Sequence, residues 1–122
     1  GQLDEMVKAI AVFERNWRRG EYWRLVGLPP DQLPVSVGEA DILSAAAALE
    51  RVGQYQAAAT LYETGAAKWP ANWLWQFGLG NARYAMGDLR GARRALRRAR
   101  TLDPSIPEVR ANLAFVNGEL AG

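Results

Sequence analysis

The side chains able to do chemistry are unevenly represented in this 122-residue chain. There is no Cys and no His, which excludes thiol nucleophiles, imidazole bases, disulfides and the usual zinc sites. Glu39, Asp41 and Glu50 share one segment, but no nucleophile, metal ligand or phosphate loop accompanies them. They read as capping and solvation charges rather than an acid–base pair. Gly78-Leu79-Gly80 lacks the preceding strand and following Lys of a phosphate cradle. No catalysis, cofactor or metal is therefore expected, and what remains is the chemistry of recognition. Leu74, Phe77, Asn81 and Tyr84 follow one another at intervals that place them on one face of a helix. That face carries apolar anchors and one amide, a group that both donates and accepts. Arg90, Arg93, Arg94, Arg97, Arg98 and Arg100 cover about 160° of another helix, opposite Leu89, Ala92, Ala95, Leu96, Ala99 and Leu102. By default such a face is simply solvated. Its functional alternative is a docking stripe for an anion: nucleic acid, lipid headgroups or an acidic protein. No aromatic residue interleaves with the arginines, which disfavours nucleic acid, and a net charge of +2 gives no strong overall attraction to it.

The elements that must position these residues are helical. Ala, Leu, Arg and Glu are abundant and long β-branched runs are absent. The hydrophobic fraction of 49% predicts a folded core, and no apolar run approaches the ~18 residues of a membrane-spanning helix. The chain also repeats itself. Pro70 and Pro104 are 34 residues apart, as are Gly53 and Gly87, Ala58 and Ala92, and Ala48 and Ala82. A fixed period of this length predicts stacked units that bury their apolar faces on one another. Gly53 and Gly87 should end a helix with positive φ, Asp88 should cap the next, and the prolines should stop each unit. Helices are expected near 39–52, 55–68, 73–86 and 89–101. Small residues at Ala46 or Gly80, facing Ala58 or Ala92, should let paired helices approach closely. Trp69, Trp73 and Trp75 crowd one inter-repeat turn; most Trp residues are core, and Trp73, at a helix start, is the one expected to be exposed if any is.

The run Leu79-Gly80-Asn81-Ala82, with Tyr84, Gly87, Asp88, Ala92, Ala99 and Leu102-Asp103-Pro104, resembles the tetratricopeptide repeat, a 34-residue helix–turn–helix unit. The earlier unit keeps Gly53, Tyr55, Ala58, Tyr62 and Pro70, with Ala45 and Ala46 in place of Leu79 and Gly80. The resemblance implies an all-α fold, an α–α superhelix, with units at 39–72 and 73–106 and the repeat region proper over 39–104. It also implies a non-enzymatic role in binding a peptide or protein. In that family the leading helix of each unit lines the concave side. Position-matching puts Leu43, Ala47, Glu50, Leu74, Phe77, Asn81 and Tyr84 in the groove, with Asn112 and Phe115 from the last helix. One subgroup grips the terminal carboxylate of chaperone tails with Lys, Asn and Arg. The matching positions here are Leu43, Ala47, Asn81, Glu108 and Asn112; only Asn81 agrees, so no chaperone clamp is expected.

Two flanking segments complete the organisation. Residues 1–38 read as a lead helix, on the stripe Leu3, Met6, Val7, Ile10, Phe13 and Trp17, followed by an extended arm at Tyr22–Val26 broken by Pro29, Pro30 and Pro34. Trp23 and Leu25 of that arm are candidates to fill the groove in cis. The run from Phe13 to Gly20, with Leu28-Pro29-Pro30-Asp31-Gln32-Leu33-Pro34, resembles the tail of bacterial C39-like cysteine peptidases that carry such repeats. It implies, as a rival reading, the non-catalytic end of a larger protein in the bacterial cytoplasm, periplasm or cell envelope. Residues 105–122 read as a capping helix, in which Pro107–Val116 continues the register, with Leu113 and Ala114 where Leu79 and Gly80 stand.

Overall fold

The computed structural model describes residues 28–32 and 37–122. The lead helix, the extended piece at 22–26 and the Trp23 and Leu25 plug lie outside the described residues. Five α-helices are described: α1 (Glu39–Arg51), α2 (Tyr55–Lys68), α3 (Trp73–Ala85), α4 (Leu89–Leu102) and α5 (Pro107–Ala121). Among the described residues there is no strand. Short connections fold each helix back on the one before it, so α1 packs on α2, α2 on α3, α3 on α4 and α4 on α5.

The turns inside the pairs are set by local chemistry. Gly53 and Gly87 have φ of 82° and 84°, a region that side chains with a Cβ avoid, and each follows its helix by two residues. The Oδ1 of Asp88 accepts from the Gly91 N–H at 2.9 Å and satisfies one of the free donors at the start of α4. Asn72 does the same for α3, accepting from the Leu74 N–H at 3.0 Å, while its Nδ2 donates to Glu39 Oε1 at 2.6 Å. One amide thus starts α3 and ties it to the start of α1. Asp41 accepts from the Gly38 N–H at 2.8 Å, the capping role expected of it.

Small residues decide how closely the helices meet. Ala46, Ala58 and Ala92 are wholly buried at the crossings within the two pairs. Between the pairs, Trp75 is wholly buried, stacked on Trp69 at 5.6 Å and edge-on to Tyr62 at 6.4 Å. It lies against the Cα of Gly65, where a Cβ would fall 2.1 Å from its ring. Of the three tryptophans, Trp75 is therefore core, whereas Trp69 and Trp73 are half-buried; Trp73 is not a free surface ring, since it lies edge-on to Phe77 at 5.6 Å. A second cluster of Ala92, Leu96, Leu113 and Val116 joins α5 to the stack.

The last helix runs through Gly118 to Ala121. A mid-helix glycine costs only about 1 kcal/mol. Leu120 packs against the second cluster and Glu119 bonds to α3, so residues beyond Gly118 gain contacts by staying helical. Ala114 is exposed, although Gly80, its counterpart in α3, is buried under Leu96. Before α1, Pro30–Gln32 form a short 3-10 turn. Leu28, Pro29 and Pro30 lie beside Thr60, Glu63, Thr64 and Ala67 of α2, and Leu28 packs against the main core.

Candidate peptide-binding groove

The leading helices α1, α3 and α5 carry all nine residues matched to the groove. Only the α3–α5 part converges. Asn81 and Tyr84 from α3 meet Asn112 and Phe115 from α5 around a pocket of about 340 Å³, with Leu96 and Val116 also lining it. Leu74, Phe77, Leu43, Ala47 and Glu50 do not line it. Phe77 packs against the second cluster and Leu43 against the main core, so both are partly spent on folding. Glu50, read from the sequence as a solvation charge, instead accepts a hydrogen bond from the Tyr62 hydroxyl at 2.8 Å. Burial of that phenol, reinforced by the Glu50 charge and the hydrogen bond, pushes the Tyr62 pKa well above its ordinary value.

Asn81 and Asn112 face each other across the pocket. Asn112 Nδ2 donates to Asn81 Oδ1 at 3.0 Å. The sequence reading had Asn81 using both ends of its amide on a partner; one end is already engaged. Each amide keeps its other end, so the pair still presents one donating and one accepting group. Exchanging the oxygen and nitrogen of both amides leaves that complement unchanged.

The wall beside them is aromatic. Tyr84 and Phe115 meet edge-on at 5.7 Å, and Phe115 is 57% exposed, the most exposed of the large apolar side chains described. The Tyr84 hydroxyl donates to Glu119 Oε1 at 2.9 Å; this hydrogen bond, more than the slight desolvation and the Glu119 charge, raises the Tyr84 pKa. Leu96, Val116 and Glu119 were not read as site residues. The first two carry only the buried-position pattern, and Glu119 meets Tyr84 from 35 residues away on another helix. Among the described residues no Lys or Arg lines the pocket.

The arginine face lies on α4, a second helix, away from the groove. Arg90, Arg94, Arg97, Arg98 and Arg100 are exposed. Arg93 is not: it is half-buried, and its Nε is shut off from solvent without a hydrogen-bond partner among the described residues. Among the described residues no group of three or more His, Cys, Asp or Glu side chains could hold a metal ion, and no helix is long and apolar enough to cross a membrane.

Stacked helix pairs with glycine-ended leading helices, and a pocket between successive leading helices, define an α–α superhelical repeat protein. The family described as tetratricopeptide repeat matches residues 49–114, more than half of the chain, and the chain belongs to that family. No curated protein matches the sequence. Among solved structures, the first TPR of Spaghetti (RPAP3) bound to the HSP90 peptide SRMEEVD is similar, with a TM-score of 0.72 at 17% identity over 98% of this chain and 95% of that one. PcrH from Pseudomonas aeruginosa gives a TM-score of 0.62 at 20% identity over 97% and 90%. PcrH in complex with the chaperone binding region of PopD gives 0.62 at 21% identity over the same shares. At these identities the likeness is one of fold.

Proposed function

We propose that the protein is a non-catalytic interaction module that binds an extended peptide segment of a partner in the groove between α3 and α5. The observation that carries this reading is the pocket itself: an exposed Phe115 ring, a Tyr84 ring edge-on to it and a half-bonded amide pair surround a space of about 340 Å³. An extended peptide needs both elements. Its apolar side chain would bury against Phe115 and Tyr84, and its backbone would pair with the free donor and acceptor of Asn81 and Asn112. That two structures of the same fold are complexes, one with an HSP90 peptide and one with a segment of PopD, supports peptide capture as what this architecture does.

The chaperone tail is not the proposed ligand. A terminal carboxylate desolvated in a groove needs a cation, and the clamp-matched positions offer Leu43, Ala47, Asn81, Asn112 and an exposed Glu108 of the wrong sign. The test is to select peptides from a displayed random library on the parent chain. Their affinities are then measured for the parent, Phe115→Ala and Asn81→Ala. Phe115→Ala should weaken them by about 2 kcal/mol and Asn81→Ala by ~1–3 kcal/mol, with melting temperatures close to the parent. Selected peptides that bind all three proteins equally would refute the groove. The SRMEEVD peptide should show no contribution from the groove, measured as equal binding, or equal absence of binding, by parent and Phe115→Ala; a loss confined to the variant would refute the exclusion.

A further inference from the structure

The arginines of α4 are arranged at a cost to the helix that bears them. Arg90 and Arg94, Arg93 and Arg97, and Arg94 and Arg98 are each four residues apart, the spacing at which like charges repel on a helix. No carboxylate among the described residues pairs with any of them; the ion pair that is formed nearby, Arg83 with Glu63 at 3.4 Å, uses a different helix. Beside Arg97 and Arg98 opens a second pocket of about 350 Å³, lined also by Pro70, Gln76, Thr101 and Leu102. Leu102 is 40% exposed there. The side-chain oxygen of Gln76 is shut off from solvent and has no hydrogen-bond partner among the described residues. Buried amides nearly always have one.

We infer that this outer face of α4 is a second docking surface, for an acidic protein segment carrying one apolar side chain. The carboxylates of that segment would pair with Arg94, Arg97 and Arg98 and relieve their mutual repulsion. Its apolar side chain would enter the pocket between Pro70 and Leu102. A nucleic-acid strand fits less well. It supplies negative charge, but among the described residues lining this pocket no aromatic ring offers a base a stacking platform, and an aliphatic pocket suits the side chain of a peptide. The surface lies on a second helix, while the groove is built between leading helices, so the two sites are independent.

The experiment uses the full chain and a fluorescein-labelled acidic peptide of alternating Asp and Glu with a single central Leu, read by anisotropy at low salt. The controls are the same peptide with Gly for Leu and an oligothymidylate of equal charge. The parent should bind the leucine peptide saturably and at least tenfold more tightly than either control. The double variant Arg97→Glu, Arg98→Glu should lose at least tenfold in affinity, whereas Phe115→Ala should keep the parent's value. Arg94→Glu should both weaken binding and raise the melting temperature, because it removes repulsion within α4; an unfolded variant would lose binding without that rise. Three results would each overturn the inference: no saturable binding of the leucine peptide, equal binding of the oligothymidylate or the glycine peptide, or binding that is indifferent to the Arg97, Arg98 reversal. Loss on Phe115→Ala would assign the peptide to the groove instead and equally overturn it.

Discussion

Replacing Gly65 with Ala tests the contact on which the two helix pairs depend. A methyl group there would fall 2.1 Å from Trp75 Cε3, 2.2 Å from Cζ3 and 2.3 Å from Cδ2. Carbon atoms rest about 3.5–4.0 Å apart, so α2 and α3 would have to part by more than about 1 Å or the ring would have to turn. The ring has nowhere to go: it is wholly buried, with Trp69 stacked on it and Tyr62 against its edge. Overpacking of this kind costs ~1–3 kcal/mol and occasionally more. Alanine's better helix propensity offsets about 1 kcal/mol of that. Separating the helices also forfeits dispersion contacts around a large aromatic surface, so the net loss should be about 1–3 kcal/mol. For a domain of this size that is a fall in Tm of roughly 3–15 °C, measured by circular dichroism on heating. Gly118→Ala is the matched control, because a Cβ there meets nothing within 4 Å. It should leave Tm unchanged or raise it by a few degrees, in keeping with a propensity gain of up to about 1 kcal/mol. A Gly65→Ala protein as stable as the parent would mean that Trp75 does not sit against that backbone.

Two further outcomes follow from burial. Ala92→Leu, at a wholly buried crossing where the Ala92 carbonyl lies 3.3 Å from a Cβ built on Gly80, should lose ~1–3 kcal/mol in urea denaturation; an unchanged midpoint would refute the register. The Tyr62 phenol has its pKa raised in the folded protein by burial and by Glu50, so the folded state holds that proton more tightly than the unfolded chain. Its contribution is present in full below the unfolded value near 10 and is lost as pH rises beyond it, with a slope approaching ~1.4 kcal/mol per pH unit. Denaturation midpoints of the parent should therefore fall more steeply above pH 10 than those of Tyr62→Phe, and parallel curves would refute the buried pair.

Much of this architecture is determined by the sequence alone. The 34-residue spacing of Gly53 to Gly87 and Pro70 to Pro104 sets the helix breaks, because positive φ and the missing proline N–H act within a turn of the residue itself. The capping by Asp41 and Asp88, and the burial of Ala46, Ala58 and Ala92, follow from position in a helical period in the same way. The tertiary structure decided what those patterns leave open. Leu74, Phe77, Asn81 and Tyr84 share a face by spacing, yet Phe77 is drawn towards the core while Asn81 and Tyr84 meet α5. Asn81 finds Asn112, 31 residues away, and Glu50 finds Tyr62. Trp75 is buried while Trp69 and Trp73, which precede it closely in the chain, are only half-buried. Gly118 is carried through a helix that its own propensity disfavours. In each case the outcome depends on the angle and offset between helices. These are set by the summed packing of side chains from both partners, such as Trp75 against Gly65, and are not encoded in the pattern of either helix by itself.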